Sequence, residues 1–493
     1  MPQIMVETPS ADSVQSFACR RWATFPAVLA VSLAYLMFLV ARRNIADPDL
    51  WWHLRNAQQL LATHHLPVVD SYSYTAVGAP VLPFEWLAET AYFVVFQLAG
   101  LTAVFLLVFV LSAFVVLGIF RLALLAGAEV KNSFLVCVAA AVMTAVSAGA
   151  RTLLFGWACL VALLLMLELV RRGNLRWLWL VPPLFALWIN LHASWPMGLV
   201  VLAIFIGGGL MEGTWGNVEA TRWSPHELRA LVLTGIASAA AVFANPFGYR
   251  LVIYPFPVIF GAKLQEAQIQ EFAQVDFQSA WGKIAILLIA SVLATALFSR
   301  VRWRPDEFAT VMLALYFALS HVRFMYLAAI LLTPILARRL SLMVPYKEAS
   351  DRPLPNAIAL AVIAVLFVFS MPRASALHGV ISYPSGALQY LEDRGVHDRV
   401  FNDWGWGGYI LWHDPQLKVF IDGRGDPYSA NGVVADYVSA MSNVNTQAVL
   451  DKYRVQYVLI PPKSAMAQAL TGSNAWRVVY RESTDILFER ARE

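Results

Sequence analysis

The chain has 493 residues, of which 59% are hydrophobic and only 14% are charged. This balance excludes a soluble enzyme, because too little polar surface is present to cover such a chain in water. The formal net charge of +4 is explained by basic residues in loops between apolar runs, and it gives no reason to expect a nucleic-acid partner. Continuous apolar runs also exclude a membrane β-barrel, whose strands alternate apolar and polar residues. We therefore predict an α-helical polytopic membrane bundle.

Many of the apolar runs are long enough, as helices, to cross roughly 30 Å of hydrocarbon. In chain order they predict about eleven spans, which together form a transmembrane domain over residues 23–371. Some runs are shorter than the roughly 20 residues of a straight span, so those between Phe308 and Ala337 can be broken or merged. The predicted spans are Ala23–Ala41, Leu101–Phe120, Phe134–Ala150, Leu153–Val170, Trp177–Asn190, Pro196–Met211, Leu228–Ala244, Ile284–Phe298, Phe308–Ser320, Phe324–Ala337 and Asn356–Ser370.

Basic residues indicate the orientation, because they are retained preferentially on the cytoplasmic side. Alternate loops are rich in arginine, and we place those loops in the cytoplasm together with residues 1–22. The first outer loop, 42–100, the segment 245–283 and everything after Met371 then face outwards. The first apolar run is too long for a removable signal peptide, so it is predicted to remain as a membrane anchor. The helix-like stretch Trp86–Leu98 is predicted to lie in the membrane interface.

From about His378 the pattern changes, and short apolar stretches alternate with stretches that are compatible with helices. This alternation predicts an extracytoplasmic α/β domain over residues 378–493, which is long enough to bury its own core. The apolar stretches are Val400–Phe401, Val419–Ile421, Val455–Ile460, Val478–Tyr480 and Ile486–Phe488. The expected helices are Ala387–Glu392, Val433–Met441 and Thr446–Asp451.

The first outer loop carries two carboxylates, Asp47 and Asp49, beside Trp51 and Trp52. They begin a stretch with apolar residues at helical spacing, which predicts an amphipathic helix in the plane of the lipid headgroups. An acid or base at this depth can meet a lipid-linked substrate. Asp47 before Pro48 is equally typical of a helix N-cap, and one residue can serve both purposes.

A divalent metal is a further possibility at the start of this helix. Asp49 and His53 lie one helical turn apart and can bind such a cation jointly, although two ligands at this spacing are a weak signal.

Several sequence stretches resemble a group of bacterial membrane proteins related to the C-type (GT-C) glycosyltransferase superfamily, which includes the protein O-mannosyltransferases and the aminoarabinose transferases of lipid A. The resemblance covers nearly the whole chain. It is carried by DPDLWWHLRNAQQLLATHHLPVVDSYSYTAVGAPVLPFEWLAE in the first outer loop, by LFGWACLVALLLMLELVRRG and PPLFALWINLHASWPMGL in the middle, by ANPFGYRLVIYP in a later loop, and by FNDWGWGGYILWHDPQLKVFIDGRGDPY in the tail.

This resemblance implies a multi-pass enzyme of the bacterial inner membrane that takes a sugar from a polyprenyl-phosphate carrier. The acceptor would be a glycan, a lipid or a protein of the envelope. In such enzymes an acidic residue of the first outer loop is functional, and by position it maps onto Asp47 or Asp49. The carboxylate would accept the proton of an acceptor hydroxyl while the phosphate leaves from the other face of the sugar, which inverts the anomeric carbon.

Other outer-face residues are candidates for substrate binding, as are Trp52 and His53. Glu85 can position an acceptor or complete a metal site, although a glutamate near a helix start also favours the helix dipole. Asn190 and His192 can line a cavity or satisfy a helix end. Arg151, Arg250, His321 and Arg323 are the cations that can pair with a carrier phosphate. Arg323 is the best placed of them, and its alternative is contact with lipid phosphate.

The tail contains two glycine-rich motifs, one around Asp403 and one around Asp422. Aromatic faces beside flexible backbone can stack on sugar rings, with these aspartates binding hydroxyls. The same pattern can form tight turns that pack the tail domain against the bundle.

Two further function classes remain open from the sequence. One is a transporter or flippase for a lipid-linked saccharide, which is disfavoured because few charges lie within the spans and no duplication is apparent. The other is a non-catalytic subunit of a polysaccharide assembly complex.

Overall fold

The computed structural model describes residues 22–45, 47–145, 147–257, 275–340, 344–373, 377, 383–397, 399–429 and 431–491. The predicted cytoplasmic segment 1–22 lies outside this range except for Trp22. The start of the predicted tail domain, 378–382, lies outside it as well.

Helices dominate the first three quarters of the described chain. They are α1 (Phe25–Asn44), α2 (Asp49–Thr63), α3 (Trp86–Leu125), α4 (Val130–Thr144), α5 (Leu153–Arg171), α6 (Val181–Leu191), α7 (Trp195–Gly207), α8 (Pro225–Ala241), α9 (Tyr249–Ile253), α10 (Ala280–Phe298), α11 (Pro305–Ser320), α12 (Met325–Arg339) and α13 (Pro353–Ser370). Short 3₁₀ turns cover Leu175–Leu180, Val322–Phe324 and Glu348–Ser350. A small antiparallel hairpin, β1 (Gly213–Trp215) and β2 (Val218–Ala220), joins α7 to α8.

Each predicted span overlaps one of these helices. Within the described residues, five helices are long and apolar enough to cross a membrane: α1, α3, α5, α10 and α13. Shorter apolar helices, such as α4 and α7, accompany them. The protein is therefore a helical membrane protein, while the count of about eleven crossings stays a prediction.

The helix ends follow local sequence signals. Thr24 caps α1 by accepting the N–H of Ala27, and Glu129 caps α4 in the same way. Ser224 and Glu227 form a reciprocal capping box at the start of α8. Such caps satisfy backbone donors that would otherwise be unpaired at a helix start.

Helix α12 lies at the centre of the bundle, against α4, α11 and α3. Every residue from Met325 to Ala337 is buried. Because protein rather than lipid surrounds this helix, it need not match the bilayer thickness, which explains its 15 residues. His321 is extended and separates α12 from α11, so this stretch is broken rather than merged.

The tail contains a four-stranded sheet in the order β3–β4–β6–β5. The strands are β3 (Val400–Asn402), β4 (Tyr457–Ile460), β5 (Trp476–Arg481) and β6 (Ile486–Arg490), and only the β3–β4 pair is parallel. The helices around the sheet are α14 (Ser385–Glu392), α15 (Gly407–His413), α16 (Asp426–Ser429), α17 (Val433–Met441), α18 (Thr446–Lys452) and α19 (Ala465–Thr471), and the 3₁₀ turn Trp404–Trp406 precedes α15.

The expectation of a strand at Val419–Ile421 is wrong. Val419 forms only an isolated bridge, and its partner is Ser73 of the first outer loop. The side-chain oxygen of Asn402 accepts the N–H of Phe420 at 2.8 Å, and its NH₂ group donates to the carbonyl of Ile421 at 2.8 Å. A side chain thus replaces the neighbouring strand that this segment would need.

The first outer loop packs as part of the tail. The tail has two apolar cores, and the loop contributes Ala76 to one and Tyr72 to the other. Thr75 donates its hydroxyl to the carbonyl of Phe420 at 2.5 Å, and the N–H of Val419 binds the carbonyl of Tyr72. The loop and the tail therefore share their apolar interior.

A buried ion cluster joins the two parts. The guanidinium of Arg424 lies 2.7 Å from Asp70 and 2.6 Å from Asp422. Tyr428 donates its hydroxyl to Asp422 at 2.5 Å. Both carboxylates are fully buried, and their charges raise the pKa of Arg424 although burial opposes this. The oxygens of Asp422 accept from protein donors, so this motif has the packing role that the sequence left open beside sugar binding.

Replacing Arg424 with methionine tests this cluster. We expect a loss of about 3–5 kcal/mol in unfolding free energy, because two buried carboxylates lose their cation. Thermal unfolding of the full chain in detergent measures the effect. The matched control is Arg477→Met, whose ion pair with Glu489 is 69% exposed on the arginine side, and which should leave the melting temperature unchanged. Equal melting curves for the two variants would contradict the proposed importance of the buried cluster.

Candidate active site

The two first-loop aspartates converge on one arginine. Oδ2 of Asp47 accepts from Nε of Arg151 at 2.5 Å, and Oδ2 of Asp49 lies 3.8 Å from the same nitrogen. The other oxygen of Asp47 accepts the N–H of Asp49 at 3.0 Å, so this residue also caps α2. Asp47 is 8% exposed and Asp49 is 31% exposed, which makes Asp49 the more accessible carboxylate.

The chain between α4 and α5 brings Arg151 to this position. Its carbonyl accepts the hydroxyl of Tyr92 at 2.9 Å, which ties the segment to α3. At Gly149 an added methyl group would lie 2.8 Å from Asp47 Oδ2 and 3.2 Å from the carbonyl of Asn44. Only glycine permits this close approach.

The surroundings of Asp47 favour proton acceptance. Burial raises the pKa of Asp47, Arg151 opposes this rise, and the neighbouring charge of Asp49 adds to it. A carboxylate whose pKa is raised toward neutrality is a stronger base than an ordinary aspartate.

The donor set does not fit a divalent cation between Asp49 and His53. Nδ1 of His53 lies 3.0 Å from Glu89, which also accepts from Asn56 at 2.9 Å. Among the described residues, no group of three or more His, Cys, Asp or Glu side chains has the arrangement of a metal site. The guanidinium of Arg151 supplies the positive charge beside the aspartates instead. Burial disfavours charged His53, yet the hydrogen bond and charge of Glu89 prevail and raise the pKa of His53.

Glu85 and His192 form a second buried pair, with 3.4 Å between Oε1 and Nε2. The N–H of Ser194 donates to Nδ1 of His192 at 3.0 Å, so His192 is neutral and its Nε2–H points to Glu85. Burial lowers the pKa of His192 to about 3. Burial likewise raises the pKa of Glu85 to about 7, while the charge of His53, a hydrogen bond from Thr152 and the charge of Arg323 oppose the rise.

The other candidates differ in their surroundings. Asn190 is fully engaged, since its amide donates to the carbonyls of Ala186 and Ala244 and its oxygen accepts from Trp86. Asn190 therefore satisfies backbone groups near a helix end, which is the second of the two roles that the sequence allowed. Arg323 is half-buried, and its charge acts on Glu85 and His192. The side chain of Arg250 is exposed on α9, outside this buried group.

The expectation that the apolar face of α2 meets lipid headgroups is wrong. Leu50, Leu54 and Ala57 are buried, because α3 and the tail helix α15 pack against α2. Trp51 is 5% exposed and belongs to an aromatic group with residues of the tail. Trp52 donates its indole N–H to Asp49 at 3.1 Å.

A cavity of about 240 Å³ opens beside Asp47. Tyr383 and Tyr409 line it with their rings stacked at 4.1 Å, and Trp51 donates to the hydroxyl of Tyr383 at 2.7 Å. The remaining walls are Ile45, Leu50, Leu101, Leu377, Ser385 and His413. A carboxylate, aromatic faces and an apolar side thus meet at the boundary between bundle and tail.

Glycines of the tail motifs lie directly on the start of α2. At Gly408 an added methyl group would lie 2.9 Å from the carbonyl of Pro48. At Gly423 it would lie 2.6 Å from Nε1 of Trp52 and would overlap Oδ1 of Asp49. Asp403 accepts the N–H of Gly405, as in a tight turn. The motifs therefore cover the acidic pair with backbone.

The sequence identified the acidic pair, Glu85 and His192, and the structure brings them to one side of the bundle. The sequence included Tyr409 among the aromatic residues of the tail motif, but it did not identify Tyr383 or His413 as cavity residues. Their signal is weak, because aromatic residues in a short tail helix are equally typical of a domain core.

The chain matches no protein-family model and no curated protein. Its fold is similar to solved structures of two enzymes. One is the oligosaccharyltransferase of Archaeoglobus fulgidus, in its apo form (TM-score 0.51, 11% identity, covering 87% of this chain and 69% of that chain) and in complex with Zn and sulfate (0.51, 13%, 94% and 73%). The other is arabinofuranosyltransferase AftD from mycobacteria (0.54, 14%, 96% and 40%), so the chain spans less than half of that protein. The chain therefore shares the fold of these two transferases, in line with the resemblance seen in its sequence.

The pair Glu85–His192 predicts a pH-dependent stability. The raised pKa of Glu85 means that its stabilising contribution is present below about pH 4.5 and is lost as the pH rises through about 7. The depressed pKa of His192 acts in the opposite direction, since its contribution is lost as the pH falls from 6.5 toward about 3.

In the Glu85→Gln variant, only His192 of this pair still makes the stability depend on pH. Relative to the wild type, this variant should gain stability between about pH 5 and about pH 8, by up to about 3 kcal/mol. Melting temperatures of the full chain in detergent across this range measure the gain. Glu392→Gln, at an exposed glutamate of the tail, should show no such trend. A constant difference between Glu85→Gln and wild type would contradict the raised pKa.

Proposed function

We propose that the protein is a membrane glycosyltransferase that moves a sugar from a polyprenyl-phosphate donor to a hydroxyl of an envelope glycan, lipid or protein. The observation that carries this proposal is the pairing of Asp47 and Asp49 with Arg151 at the cavity between bundle and tail. The names of the two structural neighbours, an oligosaccharyltransferase and an arabinofuranosyltransferase, support the same reaction class.

In this proposal Asp47 is the general base, because it lines the cavity and burial raises its pKa. The acceptor O–H gives its proton to Asp47 as the acceptor oxygen forms a bond to the anomeric carbon. The bond from that carbon to the phosphate oxygen breaks, and its electron pair leaves with the phosphate. Attack opposite to the leaving group inverts the anomeric carbon.

Arg151 is suited to stabilise the departing phosphate. Arginine matches phosphate oxygens with paired donors, and the partial burial of this guanidinium strengthens the attraction. As negative charge develops on the phosphate, Arg151 would shift toward it and weaken its bond to Asp47. The basicity of Asp47 would then rise at the moment when it accepts the proton. Asp49 keeps a second carboxylate 3.8 Å from the same Nε atom of Arg151.

The cavity suits a single sugar attached to a lipid. Asp47, Ser385 and the hydroxyl of Tyr383 offer polar groups to a sugar ring, and Ile45, Leu101 and Leu377 offer an apolar side for the carrier chain. Covering the site with the tail limits access of water, which would otherwise hydrolyse the donor. The distribution of arginines supports placing this site on the outer face of a bacterial cytoplasmic membrane, with surrounding lipids as neighbours.

The test is transfer from radiolabelled polyprenyl-phosphate sugars by purified protein in proteoliposomes. Asp47→Asn should lower the rate about 10²–10⁴-fold, as expected for loss of a general base. Asp49→Asn should also lower it, while membrane abundance stays unchanged. The control Asp393→Asn removes an exposed carboxylate of the tail and should be fully active. An active double variant, translocation without transfer, or neither activity would refute the proposal.

Gly423→Ala tests whether the tail shapes the site. The added methyl group would displace Asp49 and Trp52, and we expect transfer to fall about 100-fold, because small misplacements near the reacting groups are costly. The control Gly472→Ala has room for the methyl group, whose nearest contact is 3.7 Å. If both variants transfer at the wild-type rate, the tail does not position the acidic pair.

A further inference from the structure

A second cavity lies farther along α2, outside the acidic pair. Its volume is about 460 Å³, and it is bounded by α2 on one side and by the tail segment Pro415–Lys418 on the other. Side chains from both sides and from the intervening loop line it, notably Arg55, Gln58, Gln59, Thr63, Tyr72 and Lys418. We call this cavity the α2 groove.

The α2 groove presents hydrogen-bond donors. Arg55 donates to Oε1 of Gln58 at 2.7 Å, and Tyr72 donates to Oε1 of Gln59 at 2.6 Å. Because these contacts use the amide oxygens, the amide NH₂ groups of both glutamines are left to donate to a ligand. The ligand that complements this surface is therefore rich in acceptor oxygens.

The charge of the α2 groove is positive. Arg55 and Lys418 are half-buried in it, and Lys418 donates to the backbone carbonyl of Ser71 rather than to a carboxylate. None of the described residues that line the groove is acidic. Two cations without a lining carboxylate favour an anionic ligand.

The α2 groove is also close to the acidic pair. With a rise of 1.5 Å per residue, Arg55 lies about 9 Å along the helix axis from Asp49. That is about the length of two sugar residues. Both cavities lie along α2, the first beside Leu50 and Trp51 and the second beside Arg55 and Gln58, so a glycan chain in the groove can extend toward the carboxylates.

We propose that the α2 groove binds an anionic glycan, bearing carboxylate or phosphate groups, as the acceptor of the sugar. The identification as acceptor rests on the proposed function, whereas binding of the glycan does not. The amide and hydroxyl groups bind ring and hydroxyl oxygens, and Arg55 and Lys418 pair with the negative groups.

Binding to the full chain in detergent, without any donor, tests the proposal. The probes are an oligogalacturonate and a phosphorylated mannooligosaccharide, with a neutral maltooligosaccharide of equal length for comparison. We expect at least one anionic probe to bind more tightly than the neutral one and to weaken as salt is added. The double variant Arg55→Gln/Lys418→Gln should bind that probe about tenfold more weakly.

The control is Lys452→Gln, which removes a 56% exposed cation of the tail that pairs with Asp436, outside the groove. It should bind as the wild type does. Tighter binding of the neutral probe, or an equal loss of affinity in the control and in the double variant, would overturn the proposal. Glycan binding without sugar transfer would refute only the proposed function, and transfer without anionic glycan binding would refute only the α2 groove.

Discussion

The packing of the first outer loop against the tail depends on the buried cation of Arg424, which is held between Asp70 of the loop and Asp422 of the tail. A guanidinium in a low-dielectric interior is tolerated only when carboxylates and hydrogen bonds surround it. The requirement works in both directions, because the two aspartates need the cation equally. The loop and the tail are thereby fixed to each other, and Gly423 is placed against the residues that begin α2.

That fixed contact explains why the acidic pair is enclosed. Alone, the start of α2 would present Asp47 and Asp49 to water or lipid headgroups. With the tail in place, the backbone at Gly408 and Gly423 covers them, and Trp51 joins the tyrosines of the tail. The carboxylates then act in a partly dehydrated site, where their interaction with Arg151 is stronger than in water.

Burial gives three of the carboxyl groups beside Asp49 different properties. Asp47 pairs with a permanent cation, Glu89 pairs with a histidine whose pKa it raises, and Glu85 faces a histidine that is neutral. Environment rather than residue type therefore separates their roles. Only Asp47 combines a cation, a raised pKa and a position on the cavity, which is the combination that a base for sugar transfer needs.

The sequence by itself determined the membrane helices, the caps that begin several of them, the helix after Pro48 and most of the tail elements. These features follow from hydropathy, periodicity and capping residues within a few positions, and such signals are local. The structure decided which residues meet. The pair Arg424–Asp70 spans 354 positions and Arg151–Asp47 spans 104, and no local pattern encodes such pairings. For the same reason Val419–Ile421 resembles a strand in the sequence, and the sequence leaves open whether Asn190 lines a cavity or satisfies a helix end. Distant partners give the first a side-chain neighbour and the second a full set of hydrogen bonds.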